Sequence, residues 1–258
     1  MEVSSEALAG FAALLAIGLW ETRRPHAASS TGFGGRWASH IILYVVGGVA
    51  AGWLVAAIVG PAWKDGLPSP PNYPLIGLAA VLGVLVLDLE RYWLHRLLHG
   101  VPVLWRCHAL HHSDREIDVS TGYRHHPFEI AVVALVLPLS ALVLAIPGSV
   151  LVAYGAIDAI AAVFQHGNIT LPRRLERMLA PIVVTPAMHR LHHSIDRREA
   201  DSNFGQIFSF WDRLFATYTK PAPGVTGVEY GVAEFAEPAH QRLPAMLLTP
   251  FLIGARSG

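Results

Sequence analysis

Cysteine is almost absent from the chain: Cys107 stands alone among 258 residues. One thiol forms no intramolecular disulfide and supplies neither an iron–sulfur cluster nor a C-x2-C-H haem attachment. An oxidising compartment is not implied either. Beside His108 a thiolate ligand is conceivable, but free cysteine is far more often packed as a small apolar residue. Charge is scarce too. Asp, Glu, Lys and Arg make up 15% of residues, against about 25% in soluble domains. The formal net charge is zero, which leaves no electrostatic appetite for nucleic acid. G-x-G-x-x-G and H-E-x-x-H are both missing, so neither a dinucleotide fingerprint nor a zincin helix is present.

What the chain has instead is apolar length. Apolar side chains make up 53% of it, and about 20 of them in a row can cross a bilayer. Five stretches qualify as candidates: 5–20, 39–60, 74–94, 129–147 and 149–166. The first lacks the basic start of a signal peptide, since Met1 is followed by Glu2 and Glu6 and the basic residues, Arg23 and Arg24, come afterwards. It reads as an anchor with its amino end outside. With five spans, 18 of the 19 Lys and Arg residues fall inside and only Lys64 outside, as the positive-inside rule requires. Merging 129–166 into one re-entrant hairpin keeps that sidedness. Residues 61–74 hold five prolines and form an external loop. Residues 221–242 read as an irregular tail, and 243–254 is too short to span, so it lies at the interface or against the body.

The expected fold is therefore all-α. It is a multi-pass bundle of about four to five spans with a cytoplasmic, helical, histidine-rich cap, in a membrane such as the bacterial inner membrane. Its parts are 1–73, with the first helices and external loop; 74–220, carrying the chemistry; and 221–258, the tail.

Histidine is where the chemistry gathers. Eleven of 14 histidines lie between 95 and 193. His95 and His99 form H-x3-H. His108, His111 and His112 form H-x2-H-H, and His189, His192 and His193 repeat it. Residues three or four apart share a helix face, so each cluster can aim imidazoles at one point. Neutral imidazole is a common ligand of iron, zinc and copper. Eight such groups exceed the four ligands of one tetrahedral zinc, and two metals fit the count. Lone histidines are more often structural, and His26, His40 and His240 are read so. The aromatic run 204–218 reads as packing rather than a substrate box.

These spacings, with "DLERYWLHRLLH", "LWRCHALHHSD", "YRHHPFE", "FQHGN", "TPAMHRLHHS" and "DSNFGQIFSFWDRLFATY", resemble the fatty acid hydroxylase/sterol desaturase superfamily of membrane di-iron oxygenases, particularly bacterial sterol-desaturase-like members. The likeness runs from about Asp88 to Tyr218. It implies that His95, His99, His108, His111, His112, His189, His192 and His193 are metal ligands, and His166 a ninth. His126 matches a recurrent family position and stands open between ligand, support and structural roles. His125, with no such match, is expected in an extended turn. The metals implied are two non-haem irons, with zinc as a possible substitute.

Supporting groups follow from spacing. Asp88 lies seven residues before His95, nearly on its face, and Asp158 eight before His166. A carboxylate at membrane depth is costly unless it has a role, and metal-bound imidazoles usually donate their other N–H to such a group. Asn168, Asn203 and Asp212 are weaker candidates, with capping or turn roles equally open. The implied activity is O2-dependent hydroxylation or desaturation of a lipid C–H bond, with electrons from a separate ferredoxin- or cytochrome-type protein. Cytoplasmic arginines suit an acidic donor, though sidedness alone accounts for them.

Two other classes compete. A histidine-rich metal transporter needs ligands along a path near the bilayer midplane, whereas these lie at span ends. A zinc hydrolase needs an open coordination position, which so many histidines leave little room for. The charge split makes a direct prediction: reporter fusions at residues 70 and 220 give opposite topological signals. The same signal from both overturns the layout.

Overall fold

The computed structural model describes residues 5–29, 33–63, 76–221 and 228–252. All five apolar stretches form helices: α1 Ser5–Arg23, α2 Phe33–Ile58, α3 Ile76–Gly100, then, after the shorter α4 Pro102–His112, α5 Pro127–Val143 and α6 Gly148–His166. The small helices α7 Arg173–Leu179, α8 Pro186–His192, α9 Arg197–Ala200, α10 Phe210–Leu214 and α11 Leu243–Leu252 follow. Among the described residues the fold is all-helical, with only two isolated β-bridges. Most of the proline-rich 61–74 loop lies outside the described residues.

Two helices are long and apolar enough to cross a membrane, Gly34–Ile58 and Gly148–His166, with only 17% and 22% of their apolar windows buried. A core helix of a soluble protein hides most of its surface. Here Val45, Val46, Val49 and Trp53 are exposed. The other long helices do not meet that measure: α3 carries Asp88, Glu90 and Arg91 in close succession, and α5 has 17 residues with Pro138 inside.

The helices pack in pairs, α2 along α5 and α1 along α6, with α3 reaching both pairs. Close approach of α2 and α5 requires glycine at 47. A Cβ there would meet Ile130 Cδ1 at 2.5 Å and the Pro127 backbone at 3.2 Å. Each long helix brings one end to the histidine-bearing segments. From α1, Glu21 accepts the Val119 and Asn168 N–H groups at 3.2 and 3.0 Å. From the first turns of α2, Arg36 donates to Asp114 at 3.0 and 2.8 Å. The carboxyl ends of α3 and α6 bear His95, His99 and His166, and the amino end of α5 bears Glu129. At the far end, Ala145 (φ 53°) turns α5 into α6, and Ile146 and Val150 pack on Leu87.

The tail is more ordered than its composition implies. Ile195 donates to the Glu229 carbonyl at 2.8 Å, and Gln241 ties Ser113, Arg124 and Phe235 together. α11 packs Met246 against Leu43 and Leu110 and leaves Leu247, Leu248, Phe251 and Leu252 exposed. Gly47→Val should destabilise the protein by about 1–3 kcal/mol, as overpacking does. Gly48→Val, where a Cβ meets nothing within 4 Å, should be near neutral. Thermal unfolding in detergent checks the pair, and equal effects would remove the close-packing argument.

Candidate metal centre

Three of the helices that build the site begin alike, with proline at the first position: Pro102 in α4, Pro127 in α5 and Pro186 in α8. Proline loses nothing there, because the first N–H of a helix has no intrahelical partner. Thr185 caps α8. The carboxyl end of α4 is held by Arg124, fully buried, which donates to the Leu110 carbonyl and Ser113 hydroxyl at 2.9 Å each. Asp114, on the same loop, accepts Arg36 and the Thr121 hydroxyl. The histidine boxes therefore start and stop at defined points.

All nine expected ligands are buried, and they sort into two groups whose candidate ligand atoms lie within 4.8 Å of one another. His95, His99, His108, His112 and His192 form one, and His111, His166, His189 and His193 the other. The expectation that each H-x2-H-H cluster aims at a single point is corrected here. In α4, His108 and His112 join the first group and His111 the second; in α8 and its C-cap, His189 and His193 join the second and His192 the first. The i and i+4 residues are about 40° apart around a helix axis, whereas i+3 and i+4 are about 100° apart. One short helix thereby contributes to both groups.

The ring nitrogens test whether a metal fits. His95 Nδ1 lies 3.0 Å from the Phe204 carbonyl and His192 Nδ1 2.7 Å from the Ser202 carbonyl. A carbonyl only accepts, so both Nδ1 atoms carry the proton and a neutral ring leaves Nε2 bare. Those two Nε2 atoms face each other at 3.0 Å. Opposed lone pairs at that distance repel unless a cation lies between them. The other Nε2 pairs are His99–His112 at 3.1 Å, His111–His166 at 3.3 Å, His166–His189 at 2.9 Å and His189–His193 at 3.2 Å. Metal–nitrogen bonds of about 2.0–2.1 Å place ligands of one sphere roughly 2.9–3.4 Å apart. The His108 Nε2 is buried without a hydrogen-bond partner among the described residues. Burial drives His111, His112, His189 and His193 well below the usual imidazole range and His192 to about 3, with neighbouring histidines adding to it. All five are neutral at pH 7, the form that binds metal.

Acceptors fix the ring orientations. His108 Nδ1 donates to Glu129 at 2.8 Å, His99 Nδ1 to Asp201 at 3.1 Å and His166 Nδ1 to the Ala162 carbonyl at 2.7 Å. Glu129 also accepts from His125 at 3.0 Å, and that ring stacks on His111 at 4.3 Å. His125 thus belongs to the site's surroundings rather than to a simple turn. Glu129, Asp201 and the carbonyls of Ala162, Ser202 and Phe204 all escape the sequence analysis. Glu129, an acid in the first turn of an apolar helix, was the one signal to read.

The spacing-based supports do other work. Asp88 touches no imidazole; seven residues put it about 10 Å along the axis from His95. It accepts the Ile207 and Phe208 N–H groups, the Trp211 indole and the Tyr154 hydroxyl, at 2.9–3.2 Å. Asp158 accepts Gln206 at 2.6 Å instead of His166. Asn168 ties Ala27 through both its amide atoms. Asn203, left-handed at φ 55°, bonds Thr219 and turns the chain between the carbonyls that hold His192 and His95. Asp212 accepts the Phe204 and Gly205 N–H groups at 2.7 and 2.9 Å. Gly205 is required, since a Cβ would meet Asp212, Phe208 and Val184 within 2.9 Å.

His126 uses both nitrogens structurally, accepting from Phe128 N–H at 3.2 Å to cap α5 and donating to the Leu247 carbonyl at 3.2 Å. His26 meets Thr170, His40 meets Ser120 and Arg124, and His240 packs on Phe235. Cys107 is half-buried outside both groups, its thiol pushed up to about 11 by burial. Of the aromatic run, Phe210–Leu214 is helical; Phe204 lies against His95, His99 and His192, and Phe215 stacks on Tyr92.

A family model described as fatty acid hydroxylase matches residues 80–217, which contain all nine histidines. The chain belongs to the fatty acid hydroxylase family. Within it, the chain is 32% identical over 167 residues to the ornithine lipid hydroxylase OlsE of Rhizobium tropici, covering 63% of this chain and 48% of that one. It is 30% identical over 152 residues to the human alkylglycerol monooxygenase, covering 58% and 32%. It is 27% identical over 188 residues to cholesterol 25-hydroxylase-like protein 2 of Danio rerio, covering 70% and 63%. The matched part is thus about a third to a half of the first two relatives. No solved structure matches. The hydroxylase family is borne out; the narrower sterol-desaturase likeness is not found among these names.

If Glu129 orients His108, Glu129→Gln should weaken metal binding by about 10–100-fold, as loss of such a partner typically does. His126→Ala should leave metal per folded chain unchanged while lowering stability. Chelator competition on purified protein reads both, and full metal affinity in Glu129→Gln would show that the carboxylate does not support a ligand.

Proposed function

We propose that the protein is an integral-membrane di-iron oxygenase that hydroxylates a C–H bond of a lipid. The observation that carries this is the sorting of nine buried imidazoles into groups of five and four, with α4 and α8 each contributing to both. Iron in both groups supplies activation of O2 and of an unactivated C–H bond. His95, His99, His108, His112 and His192 hold one ion, and His111, His166, His189 and His193 the other, with zinc able to substitute because imidazole accepts both. The names of the relatives favour hydroxylation over desaturation: an ornithine lipid hydroxylase and alkylglycerol monooxygenases.

The chain's own residues orient and shield. Glu129, Asp201 and the carbonyls of Ala162, Ser202 and Phe204 fix five rings. The Phe204 ring covers three of the imidazoles and keeps water from that side. Hydroxylation consumes O2, two electrons and two protons and yields the alcohol and water. One cysteine cannot hold a cluster, so the electrons come from a separate ferredoxin- or cytochrome-type protein.

The layout proposed is five spans with the histidines on the cytoplasmic side. Three things support it: the shared end of all five long helices, the exposed apolar surface of α2, and the arginine distribution. A lipid can then approach the site from the bilayer. Metal analysis of purified, fully loaded protein should give two ions per chain. Membranes supplied with 18O2 and a reducing system should give one labelled oxygen per product lipid. One ion per loaded chain overturns the binuclear reading, and unlabelled product overturns the oxygenase.

A further inference from the structure

Arg91 is among the charged groups that the mechanism above leaves unused. Arg91 lies in α3, one turn before His95 and so on the same helical face. Its side chain is 14% exposed, and its Nε is buried without a hydrogen-bond partner. Among the described residues no hydrogen bond from its guanidinium is formed, and the nearest carboxylate oxygen, Asp158 Oδ2, stands 3.9 Å away. Asp158, in α6, is 20% exposed and keeps its other oxygen on Gln206. The phenol of Tyr44, exposed on α2, lies within electrostatic reach of both. A guanidinium with five donors at membrane depth is costly without partners. Both members of this pair therefore have capacity left for a third group.

The geometry points to a site for a lipid hydroxyl between Arg91 and Asp158. A hydroxyl oxygen accepts from the guanidinium while its O–H donates to the carboxylate, and two hydrogen bonds of about 2.8 Å span a 3.9 Å gap. An anion would meet the Asp158 charge and a cation the Arg91 charge, so the pair selects a neutral group that both donates and accepts. The four residues from Arg91 to His95 rise about 6 Å, so the carbon presented to the histidines lies a few bonds from that hydroxyl. This names the substrate class within the oxygenase reading and rests on it.

The test uses the full-length, metal-loaded protein in detergent, with tritiated 1-hexadecanol as probe and hexadecyl methyl ether as competitor. Methylation removes the donor and keeps the acceptor. In the unaltered protein the ether should compete about tenfold less well than unlabelled alcohol, the loss expected for one unmade hydrogen bond to a buried charge. Asp158→Ala, which removes the acceptor of the lipid O–H, should bring that ratio to about one without changing metal per chain, Asp158→Asn should keep part of it, and Arg91→Met, which removes the bond that both ligands accept, should weaken both alike. Equal potency of alcohol and ether in the unaltered protein overturns the site, as does a ratio unchanged in Asp158→Ala. If 18O labelling fails while the alcohol preference and its loss in Asp158→Ala hold, the oxygenase reading falls and this site stands. If labelling succeeds with alcohol and ether equally potent, the reverse is true.

Discussion

Two bare imidazole nitrogens held 3.0 Å apart, those of His95 and His192, set the terms for the rest of the molecule. Each ring has given its only proton to a backbone carbonyl, so nothing on either ring can relieve the repulsion between them. The same crowding recurs around His166 and His189. Neutral rings in a dry interior will not stay so placed for their own benefit, because every close pair forgoes a hydrogen bond. A metal ion between such rings would turn this arrangement from costly to favourable, and the scaffold is built to hold the rings in place for it.

That scaffold is a chain of carboxylates acting on backbone rather than on imidazole. Asp88 fixes Ile207 and Phe208, Asp212 fixes Phe204 and Gly205, and Asn203 turns the peptide between them. The result is two carbonyls, Ser202 and Phe204, each aimed at one histidine. Rigid peptide groups orient a ring with less conformational freedom to lose than a long acidic side chain would. Only Glu129 and Asp201 take the side-chain route. Polar residues within the bundle therefore divide into those that hold backbone, those that hold rings, and the Arg91–Asp158 pair, which holds neither.

Much of this was legible before any fold was known. Apolar runs form five helices, and the H-x3-H and H-x2-H-H spacings named eight residues, and the family resemblance a ninth, His166, that do come together. The supporting roles were not legible. Spacing along a helix places Asp88 on the His95 face, but says nothing of the two turns between them or of the segment from 207 to 211 that comes to meet the carboxylate. Glu129 was hidden because its partner, His108, lies 21 residues away on another helix. The tail read as irregular because its order comes from Gln241 and Met246 contacts with distant residues.

The sequence by itself determined which residues could serve as ligands, since imidazole count and i, i+4 periodicity are local properties of a helix. It likewise determined helical class and the asymmetry of charge along the chain. Only the tertiary structure decided that His111 parts from His112 and His192 from His193. Neighbours on one helix differ by about 100° around its axis, and which direction faces which centre depends on where the other helices stand. The choice of acceptor for each ring was decided there too, because a hydrogen bond needs its two atoms within about 3 Å, and no local pattern brings residue 95 to residue 204.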